Sequence, residues 1–157
     1  MMKRALALLA VLLFAFAARA ATVPNFPGVP RNYMQSWVQG VDAVSTYKTI
    51  YQGGANGSKC SAVIVNNGDV TNSHGFALLI GMTSFSFVAA TVTLPAGVGL
   101  LPSAPIAVNV LQSIPLPIDS DGNAFIYLKP YDTLQGAYSG AFASGSSIVA
   151  MAICADF

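Results

Sequence analysis

One group of residues has a spacing that is typical of a metal site. Asp119, Asp121 and Asn123 alternate around Gly122, and oxygen ligands on a sharply turned backbone suit a hard cation such as Ca²⁺. In an EF-hand loop that begins at Asp119, the twelfth position requires Glu, and Pro130 occupies it. A hairpin turn stabilised by Asx hydrogen bonds explains the same residues, so we expect a turn here and no cofactor.

The residue types for nucleophilic catalysis occur together once, at Asp69, Ser73 and His74. His74 is the single histidine of the chain, and there is no glutamate. No Gly-x-Ser-x-Gly elbow is present, and acid–base catalysis needs several converging ionisable groups. The sequence therefore predicts that the protein is not an enzyme.

Two cysteines, Cys60 and Cys154, are candidates for a disulfide. Such a bond would close a loop of about a hundred residues and contribute on the order of 4 to 5 kcal/mol in the chain-entropy model. Two buried thiols that pack as small hydrophobic residues are the alternative. We favour the disulfide, because the N-terminus predicts export to an oxidising compartment.

Residues 1–20 have the pattern of a secretory signal peptide. Lys3 and Arg4 precede an apolar run of 14 residues, and Ala18-Arg19-Ala20 fits a cleavage site. A membrane span needs about 20 apolar residues. Export with cleavage after Ala20 is the prediction, and a retained N-terminal apolar helix is the alternative.

The charges that remain after cleavage exclude a nucleic-acid partner. Removal of three of the seven basic residues leaves four cations against six aspartates, a net charge of −2. Nucleic-acid binding needs a basic stripe, which four scattered cations do not form. Over half of the chain is apolar and only 8% is charged, which favours burial of surface in a homo-oligomer or a larger protein assembly.

Beyond residue 44 the sequence predicts an all-β domain. Short segments rich in β-branched and aromatic residues alternate with Gly, Pro, Asn and Asp turns. The predicted strands are 46–52, 59–66, 76–82, 85–94, 106–111, 124–128, 133–142 and 147–155. Prolines between residues 95 and 117 favour a crossover between two sheets, so we predict a jelly-roll-like β-sandwich of about eight strands over residues 45–157.

Residues 21–44 are predicted to precede the sandwich as a separate segment. Prolines 24, 27 and 30 favour an extended arm. Met34, Trp37, Val38 and Val41 follow at helical spacing, which allows one short helix beginning near residue 32.

The last predicted strand alternates large and small side chains. Val149, Met151 and Ile153 are larger than Ala150 and Ala152, which stand between them. We therefore expect the larger side chains to fill the core.

Four aromatic residues are candidates for contact with a partner. Phe26 lies in the arm, Trp37 lies in the following segment, and Tyr47 and Tyr51 lie in the first predicted strand. Trp37 also fits a packing role. Tyrosines can form a glycan-binding surface, but they are also ordinary strand residues.

Several segments of the chain resemble small β-rich structural proteins, of the decoration or cement type, of tailed phages and prophages. These segments are 46–51, 53–59, 66–67, 94–97, 117–123, 132–135 and 155–157. The resemblance implies a virion-surface or capsid-associated role. The residues themselves predict a non-catalytic structural protein that binds repeated subunits, and the alternative is an exported surface or periplasmic module that binds glycans.

Overall fold

Two antiparallel sheets form the protein, in a computed structural model that describes residues 29–100, 107–119 and 122–157. Sheet 1 has the order β1 (Val29–Val38), β9 (Ser147–Asp156), β3 (Ser58–Asn67) and β6 (Val108–Asn109), and β7 (Ile126–Leu128) also pairs with β3. Sheet 2 has the order β2 (Lys48–Gln52), β8 (Thr133–Ser139), β4 (His74–Gly81) and β5 (Ser86–Leu94). The predicted all-β sandwich is confirmed.

Each of the eight predicted strands is present, with bounds that differ by a few residues. The largest difference is in the segment predicted as 106–111, where a two-residue β6 leads into a short 3₁₀ turn, Val110–Ser113. The side chain of Asn109 accepts a hydrogen bond from the backbone N–H of Leu111 and caps this turn. No helix in the described ranges has the length and hydropathy that a membrane span requires.

β1 is a ninth strand and corrects the short-helix prediction. Its ten residues pair with β9 along their whole length, from Val29 opposite Asp156 to Val38 opposite Ser147. The described part of residues 21–44 therefore enters the sandwich as the edge strand of sheet 1. Phe26 and the first two prolines of the predicted arm lie outside the described residues.

Large aromatic side chains fill the core opposite very small residues. Trp37 and Phe76 are both fully buried, and their rings meet edge to face at 5.5 Å. A Cβ atom added to Gly136 would lie 2.6 Å from Phe76 and 2.8 Å from Trp37. Trp37 thus reaches from sheet 1 to the backbone of β8 in sheet 2.

The orientation of β9 is opposite to the one predicted. Its buried residues are Ile148, Ala150, Ala152 and Cys154, while Val149, Met151 and Ile153 are only half-buried. The small residues face the core because the aromatic side chains of neighbouring strands take up the space. The large residues consequently lie on the outer surface of sheet 1.

Candidate interaction surfaces

The predicted disulfide joins two adjacent strands of sheet 1. Cys60 of β3 and Cys154 of β9 are register partners and are bonded, with an S–S distance of 2.03 Å. Both residues are buried. The bond therefore holds β9 to β3 inside the core and presents no thiol to solvent.

Asp69 and His74 form a buried pair at one end of the sandwich. The imidazole Nε2 lies 3.0 Å from Asp69 Oδ2, and Nδ1 lies 3.1 Å from the backbone carbonyl of Ser139. Both side chains are fully buried. Because both ring nitrogens face oxygen atoms of other residues, the imidazole has no free nitrogen to take a proton from Ser73, and the geometry is that of a structural hydrogen-bonded pair.

The carboxylate of Asp69 also accepts three backbone hydrogen bonds. They come from the N–H groups of Thr71, Asn72 and Ala143 at 2.8 to 2.9 Å. Burial alone would raise the pKa of Asp69, but the hydrogen bonds from Ala143, His74 and the turn amides outweigh it and hold this pKa well below its usual range. Asp69 thus joins the 69–72 turn to the segment after β8.

A second polar cluster contains Tyr51, Ser58 and Asp156. The Tyr51 hydroxyl donates to Asp156 Oδ1, and Ser58 Oγ donates to the same oxygen at 2.6 Å. Burial, together with the neighbouring carboxylate, raises the pKa of Tyr51 to about 12. The Ser58 and Tyr51 hydroxyls hold the pKa of Asp156 below its usual range. The cluster ties the end of β9 to β2 and β3.

Two of the four predicted partner-binding aromatics belong to the core. Trp37 is fully buried, and its indole N–H donates to the carbonyl of Thr46 at 2.9 Å. Tyr51 is 1% exposed. The partner-binding prediction is therefore wrong for these two residues, because their rings fill the space between the sheets. Tyr47 is 60% exposed, and Phe26 lies outside the described residues.

The segment predicted as either a turn or a calcium loop is a turn, in which the N–H of Gly122 donates to the backbone carbonyl of Asp119 at 3.0 Å. Asp119 Oδ1 accepts from the backbone N–H of Asn123 at 2.9 Å, and Gly122 has a φ of +82°. The other carboxylate oxygen of Asp119 accepts from Lys59 Nζ at 3.1 Å. Asp121 is outside the described residues, and within the described ranges no three His, Cys, Asp or Glu side chains gather in a metal-binding group.

The outer surface of sheet 1 carries an apolar patch across its three longest strands. Met34 of β1 and Ile64 of β3 are both register partners of Met151 in β9. The rows on either side add Ala62, Val149 and Ile153, together with the uncharged polar residues Asn32, Ser36 and Asn66. We call the six apolar residues, Met34, Ala62, Ile64, Val149, Met151 and Ile153, the methionine face. No charged residue lies in these three rows, and Met34 is 70% exposed.

The free edge of sheet 2 is the other exposed surface with apolar character. β5 pairs only with β4, and its beginning carries Phe87 and Val88 at 41% and 55% exposure. Its inward residues Val92 and Leu94 pack on the core. These core contacts hold β5 in place. The backbone N–H and C=O groups on its outer side have no strand partner among the described residues.

Comparisons with known proteins give a structural similarity alone. No family model matches the chain, and no curated protein matches it. Among solved structures, the chain is similar to one described as "Bacillus endospore appendages form a novel family of disulfide-linked pili", with 12% sequence identity, coverage of 82% of this chain and 88% of that chain, and a TM-score of 0.40. A similarity of this size carries no argument about function.

Proposed function

We propose that this protein is a non-catalytic structural subunit that binds into a larger exported assembly of repeated protein subunits. The methionine face is the observation that supports this most strongly. Sheets that carry apolar side chains on both faces are normally buried on both faces. A contiguous apolar patch on the surface of a protein therefore marks a binding surface. Among the described residues, the core covers the inner face of sheet 1, and the proposal places a partner subunit on the outer face.

The chemistry of the methionine face selects a protein partner. Its three rows contain no charged side chain that could bind a phosphate group. Methionine side chains, in contrast, adapt well to the apolar surface of another protein. The Cys60–Cys154 bond supports assembly outside the cytoplasm, because disulfides persist in oxidising compartments. The two ionisable clusters support a non-catalytic role, since their hydrogen bonds are used to join segments of the fold.

The test is sedimentation of the protein from its native host, followed by negative-stain microscopy of the pelleted material. We expect the wild-type protein to pellet with a particle or polymer, and Met34→Lys to weaken this association about tenfold or more, because it places a charge inside an apolar interface. Val41→Lys is the matched control, since Val41 is 78% exposed and lies in the turn after β1. A wild-type protein that stays monomeric and pellets with nothing would overturn the proposal.

The pelleted material also distinguishes the two predicted locations of the protein, the virion and the cell surface. A virion-associated protein bands with phage particles in a density gradient. A cell-surface protein stays with the cell envelope, and N-terminal sequencing then gives Ala21 as its first residue.

Glycan binding is a second candidate, supported by the position of Tyr47. This exposed ring borders a hollow of about 140 Å³ on the outer surface of sheet 2, lined by small residues such as Gly75, Ala77 and Ala137. The hollow is smaller than the 300 to 1,000 Å³ of typical ligand pockets, so it would take one sugar ring stacked on Tyr47. A glycan array with the wild-type protein and Tyr47→Ala tests this candidate, and equal signals from the two proteins would reject it.

A further inference from the structure

The edge strands of the two sheets differ in how they are protected against pairing with another chain. Proteins commonly prevent pairing at such edges with charged residues, prolines, bulges or very short strands. Among the described residues, β1 carries Pro30 and Arg31, and β2 carries Lys48. β6 and β7 have only two and three residues. Four of the five described edge strands therefore carry a charge or a proline, or are very short.

β5 is the long edge strand without a charge or a proline. It has nine residues, Ser86–Leu94, and no charged residue occurs anywhere from residue 75 to residue 118. No hydrogen bond among the described residues joins its backbone to any strand other than β4. Among the described residues, the backbone groups on its outer side have no strand partner.

We propose that β5 pairs in antiparallel fashion with β5 of a second copy of this chain, which joins two copies of sheet 2 into one continuous sheet. The inference rests on the proposed function and names one contact within the assembly. A partner strand must itself have a free edge that is long and unprotected. Among the described edge strands, β5 is long and has no charge and no proline, and its bulge at Ala89 leaves Ala90–Leu94 regular. Two uncharged strands meet without repulsion.

A β-bulge determines which part of β5 takes part in the pairing. Leu78 and Leu79 of β4 are opposite Ala90 and Val88, so Ala89 is an extra residue in β5. Bulges disrupt regular pairing, and the regular segment beyond the bulge is Ala90–Leu94. A twofold axis at Thr91, one residue from the middle of this segment, places Thr91 directly opposite Thr91 of the second copy. Both Thr91 and Thr93 point away from the core and are exposed.

Cysteine crosslinking of the full chain tests the pairing directly. Thr91→Cys and Thr93→Cys introduce single thiols, because Cys60 and Cys154 are already bonded and buried. Opposed residues in an antiparallel pair have Cβ atoms about 4.5 to 5.5 Å apart, which is close to the distance that a disulfide bridges. We expect one of these variants to form a covalent dimer under mild oxidation at low protein concentration. Thr49→Cys is the matched control, because Thr49 is also exposed on an edge strand of sheet 2 but lies on β2, at the opposite edge.

Analytical ultracentrifugation gives the second measurement. Thr91→Lys places two ammonium groups opposite each other across the twofold axis, so we expect the dimer dissociation constant to rise about tenfold or more. Thr49→Lys should leave it unchanged. If the protein assembles but neither β5 cysteine crosslinks more than Thr49→Cys, or both lysine variants behave alike, the β5 contact is wrong while the proposed function stands. If the wild-type protein is monomeric at every concentration and joins no particle, both fail.

Discussion

At the scale of single residues, Asp69 joins several separate segments of the chain. Its side chain accepts hydrogen bonds from His74 and from Ala143, and its backbone carbonyl accepts one from Gly97 at 2.8 Å. His74 is the first residue of β4, whereas Gly97 and Ala143 lie in the connections after β5 and β8. One buried carboxylate therefore fixes one end of the molecule, in an environment where an unpaired partner is costly.

Asp69→Asn should lower the free energy of unfolding by about 1 to 3 kcal/mol at neutral pH, because a buried amide cannot accept all the hydrogen bonds that the carboxylate accepts from His74 and the backbone. The pKa of Asp69 is lower in the folded protein than its value of about 3.9 in unfolded chains. Its contribution to stability is therefore present above about pH 4 and is lost as the pH falls further. Urea unfolding at pH 7 and at pH 3 measures both effects. An equal loss of stability in acid for the wild-type protein and Asp69→Asn would contradict this assignment.

At the scale of the elements, β9 shows how a strand is oriented by its neighbours. Alternation alone predicts that one set of side chains faces inward. Which set does so depends on the size of the residues across the core. Trp37 and Phe76 fill much of the space between the sheets, and the core-facing side of β9 combines one large residue, Ile148, with the small Ala150 and Ala152.

Ala152→Leu should destabilise the protein by about 1 to 3 kcal/mol, since three added carbon atoms overpack a fully buried position. Ala155→Leu on the same strand is the matched control, because Ala155 is only half-buried and its stability should change by no more than about 0.5 kcal/mol. Denaturant midpoints of the two variants give the comparison. Equal loss of stability in both would show that the two faces of β9 are packed alike.

The same dependence on neighbours explains what sequence reasoning found and missed. Eight strands were predictable because turn residues and β-branched segments are local signals. β1 was missed because Met34, Trp37 and Val38 match helical spacing, although in the strand Trp37 faces the core and Met34 faces outward. The disulfide followed from the two cysteines and the expected compartment. The methionine face and the β5 edge depend on strand order, which no local pattern contains.

At the scale of the whole molecule, sheet 1 is built from segments that are far apart in the sequence. β9 lies between β1 and β3, and the disulfide joins residues separated by 94 positions. Hydrogen bonds, core packing and one covalent bond therefore all hold β9 in the centre of the sheet.

Replacing both cysteines, as Cys60→Ala together with Cys154→Ala, should lower the free energy of unfolding by about 4 to 5 kcal/mol, because the unfolded chain regains the freedom that the cross-link removes. The expected result is a lower midpoint in urea with the native fold retained at low urea. Circular dichroism and a urea titration of the double variant and of the reduced wild-type protein provide the measurement. An unchanged midpoint in both samples would contradict the prediction.

The central position of β9 also has a kinetic consequence. Until β9 docks, no strand lies between β1 and β3. Sheet 1 therefore cannot form by adding one hairpin after another, as a β-meander does. Proteins dominated by such distant pairings fold in milliseconds to seconds. Because the chain has two cysteines, an early intramolecular disulfide is already the native Cys60–Cys154 bond, and it shortens the search by keeping β9 close to β3 before the sheet is complete.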